Sequence, residues 1–152
     1  MTGRAPLAVA VLMAAGTIQA FAGLAIIGIG TAGPELIEQF LPPVPVDTAA
    51  LGRGAVALGI GFVVIGAIQL AEALAIRMGI GWAAPAGVML CGSLAITAVS
   101  SGVAAFNTSV AGLAPAALLL PLAGALLLAG VAYGAAAAAL FRAARPRPPG
   151  SV

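Results

Sequence analysis

Four long apolar runs divide this chain, and no charged residue falls near the middle of any of them. They cover roughly residues 6–31, 51–76, 82–106 and 114–141. Each exceeds the ~20 residues of helix that cross a bilayer core. In hydrocarbon the backbone must satisfy its own hydrogen bonds, so each run reads as an α-helix. Charged residues are 7% of the 152 and hydrophobic ones 62%, whereas a soluble domain carries about 25% charge. The expected fold is all-α: a polytopic membrane protein with an antiparallel bundle of four transmembrane helices within residues 1–144. No length remains for a soluble domain.

The positions of the charges set an expected orientation. Arg4 precedes the first span, Arg77 ends the second, and Arg142, Arg145 and Arg147 follow the fourth. Four spans put all five on one face, which the positive-inside rule makes cytoplasmic. Arg53 falls on the other face with Glu35, Glu38 and Asp47. Both termini are then cytoplasmic. The basic residues are all Arg, in a chain rich in Ala and Gly and free of Lys and His. That composition suggests a GC-rich bacterial genome, and hence a bacterial inner membrane. The apolar stretch after Arg4 is too long for the ~7–15 residues of a signal-peptide core, so the first span reads as a retained helix.

The connections are unequal. Residues 32–50 form the one long loop. Within it 34–41 carries Leu36, Ile37, Phe40 and Leu41 on one face and Glu35, Glu38 and Gln39 on the other. This is the pattern of a short helix lying in the membrane interface. Pro42, Pro43 and Pro45 end it, and Asp47 or Thr48 can cap the second span. Gly79-Ile80-Gly81 makes a tight turn before Trp82, a residue suited to interface depth. The Arg/Pro tail, 145–152, is expected to be disordered.

Few residues inside the spans could carry chemistry. Glu72 is the one acid there, about 7.5 Å along the helix from Arg77. Intramembrane acids are functional candidates, but so near an edge a carboxylate can also snorkel to the headgroups. Gln19 and Gln69 each bring an amide into a span, and Ser93, Thr97 and Ser101 recur every four residues along the third. Such groups are expected to turn inward and bond across helices, or else to line a small polar path. Gly130 and Gly134 form a GxxxG on the fourth span, a groove for close helix approach. The Gly28/Gly30 and Gly59/Gly61 pairs lie inside spans and read as packing glycines. One echo is visible: Gly16-Thr17-Ile18-Gln19 recurs as Gly66-Ala67-Ile68-Gln69. It fits either inverted internal symmetry or coincidence in a chain of few residue types.

Absences exclude more. Without His there is no histidine-ligated haem, His-based triad or His-bound zinc. Without Lys there is no Schiff base or P-loop lysine. Cys91, the sole cysteine, cannot form an internal disulfide. No catalytic, cofactor or metal site is expected. A net charge of +2 is too small to suggest nucleic acid. The expected partners are the lipid bilayer and, beyond it, further copies of the chain or a larger membrane complex.

Leu58-Gly59-Ile60-Gly61 through Gly66, continuing by Leu74 to Arg77 and Trp82, resembles the DoxX-like small four-helix bacterial membrane proteins. It is also similar to the uncharacterised actinobacterial four-span proteins that share this layout. The resemblance covers spans two and three and implies a four-helix membrane fold. Here Arg77 and Trp82 stand further apart, and the first loop is long and acidic. No functional residue is carried over. The chain reads as a non-enzymatic accessory or interaction component of a membrane. The alternative is a small oligomeric transporter or channel whose polar path is lined by Glu72, Gln19, Ser93 and Thr97.

Overall fold

A computed structural model of the chain describes residues 5–32, 47–112 and 116–144. These form four helices: α1 (Pro6–Thr31), α2 (Thr48–Arg77), α3 (Ala83–Val110) and α4 (Ala116–Ala144). All four are long and apolar enough to cross a membrane. The shortest has 26 residues, or about 39 Å of helix against a hydrocarbon core of ~30 Å. The expectation of an all-α chain with four spans therefore holds. The interfacial helix at 34–41 and the tail at 145–152 lie outside the described residues.

Local chemistry explains where the helices begin and end. Asp47 Oδ1 accepts a hydrogen bond from the Ala50 N–H at 3.0 Å, and its carbonyl accepts from the Leu51 N–H. Asp47, rather than Thr48, is thus the cap of α2. After Arg77 the chain closes with two reversed bonds, Gly79 N–H to Ile76 O and Ile80 N–H to Ala75 O. Gly79 has φ +73°, the left-handed conformation this helix stop needs. Gly112, at φ +69°, occupies the same conformation after α3.

The described chain divides into two compact units. One holds Leu12–Ala71, which is most of α1 and α2. The other holds the first residues of the chain together with Glu72–Val152, and so α3 and α4.

In the first unit, α1 and α2 run antiparallel along a ladder of glycines. Gly16 lies on Gly66, Gly23 on Gly59, and Gly30 on Gly52. The steps are seven residues on both helices. A Cβ built at Gly23 would meet the Gly59 carbonyl oxygen at 2.6 Å, and the reverse distance is also 2.6 Å. Only hydrogen atoms fit there, so the two backbones touch directly. Without a hydrophobic drive between helices in lipid, such close backbone approach is what holds them together. Gly28 and Gly61 meet nothing within 4 Å. Of the two glycine pairs singled out in the sequence, only Gly30 and Gly59 pack. Gly28 and Gly61 sit two residues away, on faces turned outward.

In the second unit, α3 and α4 pack antiparallel. Gly102 rests against Ala123 and Leu127, Gly130 against Ala95 and Val99, and Gly87 against Leu140. The inner face of α3 is Ala83, Gly87, Cys91, Ala98, Gly102 and Ser109. Large apolar side chains point the other way: Met89 is 76% exposed, Leu128 72% and Val131 69%. Small residues inside and large ones outside invert the order of a water-soluble core, and fit a protein whose solvent is lipid.

Candidate functional site

The intramembrane polar residues fall into three groups. The first lies in the α1–α2 unit. Gln69, fully buried, donates from Nε2 to Gln19 Oε1 at 2.6 Å. The pair sits one turn from the Gly16–Gly66 contact. Gly16 leaves room for the Gln69 Cβ, which stands 3.1 Å from where a Gly16 Cβ would be. The sequence echo thus has a physical counterpart: its two glycines pack on each other, and its two glutamines bond to each other across the pair.

The second group lies in the α3–α4 unit. Glu72, on the last turns of α2, is 8% exposed. Its Oε1 is buried and has no hydrogen-bond partner among the described residues. A Cβ at Gly87 would meet Leu140 Cδ1 at 2.9 Å, Glu72 Oε1 at 3.1 Å and Ile76 Cδ1 at 3.2 Å. Gly87 therefore makes the space that the carboxyl fills. Cys91, one turn further along α3, is fully buried. The position of Glu72 relative to Arg77 left a snorkelling carboxylate open, but its side chain turns inward against Gly87 of α3. A carboxyl held there can exchange a proton or coordinate a small cation.

The third group is on α3. Ser93, Thr97, Ser100 and Ser101 are all exposed. None of their hydroxyls bonds to another described residue, whereas Thr31 and Thr108 bond back to carbonyls of their own helices. The expected inward turn of Ser93, Thr97 and Ser101 is not seen. The buried positions of α3 are instead Ala83, Gly87, Cys91, Ala98, Gly102 and Ser109, of which only Ser109 carries a hydroxyl. The positions 93, 97, 100, 104 and 107 follow one another at steps of four and three, so Ser93, Thr97, Ser100, Ala104 and Asn107 share one seam.

The two glycines of the GxxxG behave differently. A Cβ at Gly130 would meet Val99 Cγ2 at 2.6 Å, while one at Gly134 meets nothing within 4 Å. Gly130 packs inside the unit and Gly134 does not. Tyr133, between them, is buried. Among the described residues no three side chains of metal-ligating type come together.

Comparison with family models, with curated proteins and with solved structures finds no match. The likeness to DoxX-like proteins rests on the residues of spans two and three alone. Fold and composition define a multi-pass membrane protein.

Proposed function

We propose that this protein is a small non-enzymatic component of a bacterial inner membrane that acts by binding other membrane helices, with both termini in the cytoplasm. The observation that supports this reading is the outer face of α3. Ser93, Thr97 and Ser100 present hydroxyls at span depth that have no partner among the described residues. A polar group facing lipid is costly, and a neighbouring helix that supplies a hydrogen bond removes the cost. The neighbour is a further copy of the chain or another subunit of a larger complex. Purification of a tagged chain in mild detergent tests this. The wild type should elute as part of a larger assembly, and Ser93→Leu/Thr97→Leu/Ser100→Leu should elute as a folded monomer. A monomeric wild type, or an assembly that the triple variant leaves unchanged, contradicts the reading.

A second reading, a small oligomeric transporter or channel, draws support from Glu72. Its Oε1 is buried with no partner among the described residues, and an ionisable group at span depth is a functional candidate. Proton-coupled flux in proteoliposomes that is lost in Glu72→Gln would establish this reading, and absence of flux in the wild type would dismiss it.

A further inference from the structure

The α1–α2 pair carries a feature that neither reading uses. At its Thr31–Thr48 end the two backbones meet at Gly30 and Gly52, where each Cβ would stand 2.8–3.0 Å from the other's carbonyl oxygen. Two residues without side chains leave a hollow beside the contact. An open groove of about 360 Å³ lies there, and Thr48, Ala49, Arg53, Val56, Ala57 and Ile60 complete its wall. The lining is graded. Thr48 and Arg53 stand at the helix end, and Val56 to Ile60 continue one to two turns into the span, about 10 Å beyond Arg53.

Arg53 is exposed and pairs with no acid among the described residues. Asp47, five residues before Gly52, is engaged in capping α2 through Ala50. A guanidinium is a planar fork matched to phosphate oxygens. The apolar stretch below it offers nothing to a soluble anion but fits an acyl chain. The described lining has no acid or aromatic ring to receive a choline or ethanolamine ammonium.

We infer that this groove binds one anionic phospholipid, its phosphate on Arg53 and an acyl chain along Val56, Ala57 and Ile60. The lipid fills the hollow that the Gly30–Gly52 contact creates, and seals that end of the helix pair. The site differs from a merely snorkelling arginine in one respect: it depends on the shape of the groove as well as on the charge.

Native mass spectrometry of the full-length protein tests the inference, after incubation with equal amounts of phosphatidylglycerol and phosphatidylcholine. The wild type should retain one phosphatidylglycerol in preference to phosphatidylcholine. Arg53→Gln should lower that retention roughly tenfold, the factor for loss of one charge-assisted contact, and Ala57→Phe, which fills the groove, should lower it as well. Both side chains are exposed, so unchanged circular dichroism should accompany the loss. Arg142→Gln, which removes the same charge elsewhere, should retain the lipid. The inference is overturned by equal retention of the two lipids, by a loss in Arg142→Gln matching that in Arg53→Gln, or by an Ala57→Phe variant that binds as the wild type does. Displacement of the lipid by millimolar inorganic phosphate would also overturn it, because the site would then read only the headgroup.

Discussion

Replacing Gly59 by alanine should loosen the α1–α2 pair, and the distances give the scale. The new methyl would stand 2.6 Å from Gly23 O, 2.7 Å from Ile27 Cγ1 and 2.9 Å from Ile27 N. Two of these three are backbone atoms and cannot rotate aside. A carbon–oxygen contact needs about 3.3 Å, so the helices must part by roughly 0.7 Å. That movement would also strain the Gly16–Gly66 and Gly30–Gly52 contacts and the 2.6 Å bond between Gln69 and Gln19. Overpacking of this kind costs about 1–3 kcal/mol. Alanine is the better helix former by up to ~1 kcal/mol, which would mask part of the loss. Gly61→Ala supplies the control, because it gains the same propensity on the same helix and meets nothing within 4 Å. The two variants should therefore differ by about 1–3 kcal/mol in reversible unfolding in mixed micelles. Gly61→Ala should be at least as stable as the wild type. Equal stability of the two would refute direct backbone packing at Gly23 and Gly59.

Three further outcomes follow from the packing. Gln69→Leu should cost about 1 kcal/mol by leaving Gln19 Oε1 without its donor, and Gln19→Leu/Gln69→Leu should recover part of that loss in the same unfolding assay. Glu72→Gln should leave stability unchanged or raise it by about 1 kcal/mol, since it removes an ionisable group whose Oε1 has no partner; a fall of that size in thermal unfolding would mean that the carboxylate is paired. Gly130→Ala should be less stable than Gly134→Ala by about 1 kcal/mol or more, because only the first methyl meets α4's neighbour, at Val99 Cγ2.

The spans were legible because lipid imposes a simple rule on composition. The first run matches α1 end to end, and the others differ by a few residues where caps such as Asp47 extend a helix beyond its apolar core. Which way each helix faces was not legible. On α3 the polar stripe of Ser93, Thr97 and Ser100 lies on the outer face, so polarity did not single out Gly87, Cys91 and Ala98 as the inner side. The inner positions are mostly Ala and Gly, residue types that also recur on the outer faces, so neither volume nor polarity marked the side that Ser93 and Thr97 avoid. The glycine ladder could have been read, since positions 16, 23 and 30 and positions 52, 59 and 66 each step by seven. Among 21 glycines the pattern is hard to separate from composition, and the register of the two helices is what makes it a ladder. The Gly-x-x-Gln echo was visible, but only antiparallel pairing shows that its copies touch. The acid at 72 was identified from its type and place in a span. That it fills the space left by Gly87, fifteen positions away, depends on the turn at Gly79 folding α3 back.

Four transmembrane helices place successive turns on opposite faces of the membrane, and that alternation can be measured directly. Single cysteines at Gly81 and Ala111, each in a Cys91→Ala background, can be labelled with an impermeant maleimide in sealed vesicles of one orientation. Ala111→Cys should label from the outer face and Gly81→Cys only after the membrane is permeabilised. Labelling of both positions from the same side would contradict a chain that crosses the membrane between them.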